Sequence, residues 1–241
     1  RDQRHIMCPA PGPACRCGNV LLYVNQPLCC IVGHGGLLLV PVEAVPIGAF
    51  MVSCNPSRGW LLTDARLAGH GLAAARRLPP GSTIVLRSDT LGRAMRRVLA
   101  IRLKRICRAR RLRLLVAGDD IGLARRMGAD GVHLRSRSAR LAGAARRAGL
   151  RVSAPVHNRQ EARAAARARI DYALISPLYP TRSHPGASSI GQRRFIQLAL
   201  AARAVPVALG GMTAARHRAL RLRYSRIAPG WAAIDAWEKA H

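Results

Sequence analysis

The sequence predicts an α/β protein. Eight strand–helix units over residues 59–241 close into a compact (β/α)8 TIM barrel, behind an N-terminal extension of unlike character. Three observations predict it. Short apolar runs alternate with Ala/Leu/Arg-rich helical segments from Trp60 onward. The alternation repeats eight times, which lets a parallel sheet close with its helices outside. Apolar residues make up 49% of the 241, enough for a buried core and too many for a disordered polybasic or collagen-like chain. A doubly wound open sheet is the structural alternative for the same alternation.

The elements follow in order. Trp60–Thr63 is the first strand, and the helical segment after it runs to Leu78. Pro79-Pro80-Gly81 punctuates the chain before the strand 82–87. A long basic helix spans Arg93 to Arg113, with Met95, Val98, Leu99, Ile101, Leu103 and Ile106 as its apolar face. Leu112–Ala117 is the third strand, and the helix 120–127 ends at Gly128. Strand 131–134, helix 138–148, strand 151–154, helix 158–169 and strand 172–175 follow. A Pro-rich loop covers 176–190. Helix 192–203, strand 205–209 and helix 213–222 come next. A weak eighth strand near 224–228 and a final helix 231–239 complete the set.

Residues 1–58 show no clear helical or strand period and hold six of the seven cysteines. They are expected to be an extension outside the barrel, either disordered or an artefact of a reading frame extended upstream of a true start, with Met51 as a candidate. Cys15-x-Cys17 and Cys29-Cys30, near His5 and His34, lack the CxxC spacing of a zinc site. Glu43, Pro41 and Pro46 interrupt the apolar stretch 35–52, which argues against a membrane span. The first residues lack the order of a signal peptide, so a cytoplasmic protein is expected.

The net charge is +29, and 38 of the 40 basic residues are arginines. Arginine suits phosphate recognition. GC-rich codon bias is the better explanation of the excess, because the arginines are spread along the chain rather than blocked. With aromatics at 4%, base stacking has little support and nucleic acid is not the expected partner.

In such a barrel the chemistry sits where strands end. Gly210-Gly211 ends the seventh strand and opens a helix, a turn that suits phosphate. Thr181, Arg182, Ser183 and His184 put two hydroxyls, a guanidinium and an imidazole in one long loop, a donor set suited to a diphosphate. Asp119 follows the third strand, where it can hold Mg²⁺ or cap a helix. His133 and His157 end the fourth and fifth strands. Either can move a proton near neutral pH, although a buried structural histidine is the commoner case.

Three segments carry a resemblance. Gly128-Ala-Asp-Gly-Val-His-Leu134 resembles the strand-four signature of the thiamine phosphate synthase/TenI family. Ser176-Pro-Leu-Tyr-Pro-Thr-Arg-Ser-His-Pro-Gly186 is similar to that family's Gly-Pro-x-Phe-Pro-Thr-x-Thr-Lys-x-Gly loop. Ala208-Leu-Gly-Gly-Met212 is similar to its turn after strand seven. The resemblance implies a (β/α)8 barrel that joins hydroxymethylpyrimidine diphosphate to thiazole phosphate and releases pyrophosphate, with Mg²⁺ as cofactor. It assigns Arg87 to the strand-two arginine and Asp119 to the first metal aspartate. Thr181 and Ser183 match the loop hydroxyls, and Gly210 and Gly211 the thiazole-phosphate turn.

Departures accompany it. Val85 and Asp89 stand where the family has glutamine and lysine, and Gly118 and Asp120 flank the metal aspartate in place of asparagine and arginine. The second metal aspartate gives way to Arg or Ser within 135–138, and the loop lysine is His184. Fewer carboxylates weaken Mg²⁺ binding; Arg135 and Arg137 are candidate replacements as cations. Pro155-Val156-His157 resembles the Ser-Val-His of TenI-type thiazole tautomerases, which makes His157 the candidate acid/base. Synthase chemistry is the main expectation and tautomerase the alternative. A drifted thiazole-phosphate-binding or RNA-binding barrel is the non-enzymatic reading. A homo-oligomer is compatible with all of them.

Overall fold

In the computed structural model the described residues are 15–17, 20–23, 28–33, 36–41, 59–63, 70–87, 92–181, 188–225, 227, 229–234 and 237. The chain divides into two units, Arg1–Cys54 and Asn55–His241. The first holds four strands: β1 (Cys15–Cys17), β2 (Val20–Tyr23), β3 (Leu28–Gly33) and β4 (Gly36–Pro41). They form an antiparallel sheet in sequence order. No strand period is readable there because β3 and β4 are continuous apolar runs without alternation. Met51, His5 and His34 lie outside the described residues.

The second unit is the predicted barrel. Its strands are β5 (Gly59–Leu62), β6 (Thr83–Leu86), β7 (Arg113–Ala117), β8 (Gly131–His133), β9 (Arg151–Val156), β10 (Tyr172–Ile175), β11 (Val205–Leu209) and β12 (Gly230–Ala233). All pairings are parallel, and β12 closes on β5 through Trp231↔Gly59 and Ala232↔Trp60. The helices are α1 (His70–Arg77), α2 (Arg93–Arg110), α3 (Ile121–Arg126), α4 (Ala142–Arg147), α5 (Arg159–Ala168), α6 (Gly191–Ala202) and α7 (Ala214–Arg223).

Small side chains face inward on most of these helices. Ala74, Ala75, Ala100, Ala124, Ala142, Ala145, Ala162, Ala165, Ala199 and Ala202 are all buried. Alanine at these positions lets those helices pack close to the sheet. Inside the sheet, Trp60 meets Tyr172 edge-on, with ring centroids 4.9 Å apart.

Two aspartates latch neighbouring strands. The Asp130 carboxylate accepts the Leu114 N–H at 2.8 Å, while its own N–H donates to the Leu114 carbonyl. Asp171 does the same for Val152. Asp130 also pairs with Lys104, and Asp171 with Arg151. Asp130 of the strand-four signature is therefore a fastening of the barrel wall.

The structure corrects three expectations. The buried face of α2 is Ala100, Leu103 and Cys107 with Leu99 and Ile106 packed beside them, so Leu99, Leu103 and Ile106 fall as expected while Met95, Val98 and Ile101 are exposed. Arg96 shares the inward side, where its guanidinium donates to the Ala117 carbonyl. The helix expected at 138–148 begins as a 3-10 turn over Ser136–Leu141. The eighth strand is Gly230–Ala233, not 224–228, so Trp231 belongs to a strand and not to a final helix. Tyr and Ile give 224–228 the look of a strand, whereas Gly-Trp-Ala-Ala lacks β-branched residues. Trp231 is nonetheless buried, stacked on His217 at 5.8 Å and against Trp237 at 4.6 Å. Trp237 covers Gly59, where any Cβ would overlap its ring.

Candidate active site

A cavity of about 480 Å³ opens at the carboxyl ends of the barrel strands, and the end of every strand contributes to its wall. Leu62, Arg87, Ala117, His133, His157, Ser176, Gly210 and Ile234 represent the eight in order. Helix caps fix the turns beside it. Asp120, Asn158 and Thr213 each accept an N–H from three residues on, at 2.7, 2.9 and 3.2 Å. These caps hold Asp119, His157 and the Gly210-Gly211 turn at the starts of their helices.

Arg87 reaches the wall directly after β6. Its N–H donates to Thr63 Oγ1 at 2.9 Å, so the first strand holds the end of the second. His133 lies beside it. Its Nδ1 is 2.9 Å from Ser153 Oγ, and the Ser153 hydroxyl is directed to the Val132 carbonyl at 3.4 Å. Nδ1 is then the protonated nitrogen and Nε2 the basic one. Burial above all, then the charges of Arg87 and His157, push the His133 pKa down to about 4. The ring is neutral at neutral pH.

His157 is half-exposed on the same wall. Its N–H and its ring Nδ1 both meet Glu161 Oε2, at 2.6 and 2.9 Å. The carboxylate only accepts, so it keeps the proton on Nδ1 and leaves Nε2 for proton exchange.

Asp119 stands one residue beyond Gly118, which is on the wall. Its Oδ2 accepts from Ser138 Oγ at 2.8 Å and lies 3.7 Å from an Arg135 nitrogen. Its Oδ1 is sealed from solvent without a protein donor. Magnesium keeps several waters and needs open carboxylate oxygens. Here Oδ2 takes the Ser138 hydroxyl and is approached by a guanidinium, and Oδ1 is buried with no protein partner. Among the described residues no group of three His, Cys, Asp or Glu can hold a metal. Asp119 is a single carboxylate for the expected Mg²⁺, an ion held by one or two carboxylates together with substrate phosphates.

Gly210 and Gly211 have φ of +93° and +60°. A Cβ on Gly210 would come within 2.8 Å of Pro177 Cα, and one on Gly211 within 2.5 Å of the Pro180 carbonyl oxygen. The turn thus admits the loop after β10, whose Leu178 and Tyr179 N–H groups donate to Leu209 and Gly210 at 2.8 and 3.1 Å. Gly210 and Thr181 line the cavity, and Gly211 does not. Arg182, Ser183 and His184 lie outside the described residues.

A family model described as thiamine monophosphate synthase matches residues 63–236. The chain belongs to that family. The thiamine monophosphate synthase family places it among the enzymes of thiamine biosynthesis, as a transferase. It is 40% identical over 157 residues to the thiamine-phosphate synthase of Chromobacterium violaceum, covering 64% of this chain and 73% of that one. It is 36% identical over 125 residues to the enzyme of the same name from Geobacillus thermodenitrificans, covering 51% and 56%. In fold it is similar to a thiamine phosphate pyrophosphorylase from Pyrococcus furiosus, with TM-score 0.61 and 21% identity over 78% of this chain and 91% of that one.

The structure gathers Arg87, His157, Thr181 and Gly210 on one wall and keeps Asp119 just behind it. Sequence reasoning did not assign roles to Ser153, Glu161 or Arg96. A carboxylate four residues after His157 is a signal for Glu161, since that spacing puts both on one face of a helix start. Nothing local to Ser153 or Arg96 marks their partners, which come from neighbouring strands.

Proposed function

We propose that the barrel joins hydroxymethylpyrimidine diphosphate to thiazole phosphate, forming thiamine phosphate and releasing pyrophosphate. One observation carries this reading: in a chain of this family, the cavity wall holds two guanidiniums, Arg87 and Arg135, and no described carboxylate. Such a wall attracts phosphorylated substrates. The bond between the pyrimidine methylene carbon and the diphosphate oxygen breaks, and its electron pair leaves with pyrophosphate. The thiazole nitrogen then gives its lone pair to that carbon. Arg87 stabilises the charge that develops on the leaving oxygens. Neutral His133 adds no positive charge against a pyrimidine cation. Gly210, Gly211 and Thr181, with Arg182, Ser183 and His184 after it, are proposed to hold the phosphates.

Incubating the full chain with both substrates tests this. Thiamine phosphate is expected, and Arg87→Ala lowers the rate by about 100-fold. No product at micromolar enzyme rejects the proposal. The phosphorylated, water-soluble substrates support a cytoplasmic location. Residues 59–241 are proposed to carry the activity, so deleting residues 1–54 should leave the rate unchanged.

The His157–Glu161 contact favours a second reading, isomerisation of a thiazole carboxylate phosphate with His157 Nε2 moving the proton. His157→Ala abolishes that isomerisation if the reading holds. Full activity in the variant rules it out.

A further inference from the structure

The glycine turn after β11 and the loop after β10 are fastened together by a side chain that the proposed chemistry does not use. Arg216 is the third residue of α7, and its N–H donates to the capping Thr213 Oγ1 at 3.2 Å. Its guanidinium donates to the Gly211 carbonyl and lies 4.7 Å from the centre of the Tyr179 ring. The Tyr179 hydroxyl accepts from Gln192 Nε2 at 2.9 Å, which ties that ring to α6. The Tyr179 N–H donates to the Gly210 carbonyl at 3.1 Å. The turn, the loop, α6 and α7 are thus joined through one guanidinium and one ring.

The residues that reach the cavity lie one or two positions from these contacts. Gly210 precedes Gly211, and Thr181 follows Tyr179 by two. Gly210 and Thr181 line the cavity, whereas Arg216, Gly211 and Tyr179 do not. Arg216 therefore grips both halves of the proposed phosphate cradle from behind its wall. The turn has need of a brace, because Gly210 and Gly211 sit at φ of +93° and +60° and carry no side chains to pack. Arginine suits the task. Its planar guanidinium can donate from an edge to a carbonyl while its face covers an aromatic ring, which the compact ammonium of lysine cannot match.

We infer that Arg216 is a positioning residue that sets the cradle for a phosphate monoester, acting through its hold on Gly211 and Tyr179 rather than through contact with the phosphate. The inference rests on the reading that Gly210, Gly211 and Thr181 hold a substrate phosphate.

Calorimetric titration of the full chain with thiazole phosphate, and with the unphosphorylated thiazole alcohol, tests it. The native protein is expected to prefer the phosphate ester. Arg216→Ala should reduce that preference by about tenfold, since binding must then order the turn and the loop. A general loss of structure would weaken both ligands alike and leave the ratio unchanged. Arg216→Lys keeps the charge without the flat face and should fall short of the native ratio. Tyr179→Leu keeps the charge and removes the ring, and should also lower the ratio. The two losses should not add in the Arg216→Ala/Tyr179→Leu double variant, because both break the same clamp. Circular dichroism checks that each variant is folded, and Arg216→Lys carries the test if Arg216→Ala is not.

No phosphate preference in the native protein, an unchanged ratio in Arg216→Ala, the full native ratio in Arg216→Lys, or additive losses in the double variant would each overturn the inference. A parallel condensation assay separates it from the synthase reading. Arg216-dependent phosphate preference without condensation keeps the inference and removes that reading. Condensation with an unchanged ratio in Arg216→Ala does the reverse.

Discussion

The neutral His133 makes the stability of the barrel depend on pH in a defined window. Its pKa falls from 6.5 to about 4, chiefly through burial, with Arg87 and His157 adding repulsion. That difference corresponds to about 3 kcal/mol, at about 1.4 kcal/mol per unit. The folded state holds the neutral ring, while the unfolded chain takes up a proton below pH 6.5. The full stability is therefore present above pH 6.5 and is lost progressively down to about pH 4, where the folded form also protonates. His133→Asn keeps a donor for Ser153 Oγ and removes the titration. Urea midpoints of both proteins from pH 7.5 to 4 read the effect. The native protein should lose about 3 kcal/mol more than the variant over that range. His217, also pushed down by burial, contributes the same sign to both proteins and cancels in the difference. Parallel stability curves would refute the reasoning.

Three further outcomes are expected. Gly210→Ala drives a Cβ against Pro177 at a left-handed backbone position, and should lower stability by about 2 kcal/mol in thermal or urea denaturation. Asp171→Ala leaves the Val152 N–H and Arg151 without that carboxylate, and should lose about 1–3 kcal/mol in urea melts. Arg169→Gly relieves a residue held at φ +52° after α5, and should raise stability by up to about 1 kcal/mol, read as a higher melting temperature.

The barrel was legible because periodicity reports what each segment buries. β10 and β11 fall at the expected residues, since Tyr172–Ile175 and Val205–Leu209 are apolar runs between clear breaks. β12 was not, because its Trp231 and two alanines are buried by contacts from β5, α7 and Trp237 that no local pattern reveals. The face of α2 was misread for a similar reason. Arg96 lies on the inward side and donates to the Ala117 carbonyl at the end of the next strand, while Met95 and Val98 are exposed. At the site, strand ends pointed to Arg87, His157, Thr181 and Gly210. The state of Asp119 was not readable, because it depends on which atoms of Ser138 and Arg135 come near it.

The barrel unit carries 36 Lys and Arg against nine Asp and Glu from residue 59 onward. Among the described residues five carboxylates occur, and each has a particular partner. Asp119 holds Arg135, Asp120 caps α3, Asp130 and Asp171 latch strands, and Glu161 orients His157. Tolerance to substitution is therefore lopsided. Exposed helix arginines such as Arg102, Arg163 and Arg167 can be recoded to lower the charge of the molecule, whereas each of those five acids must be left alone.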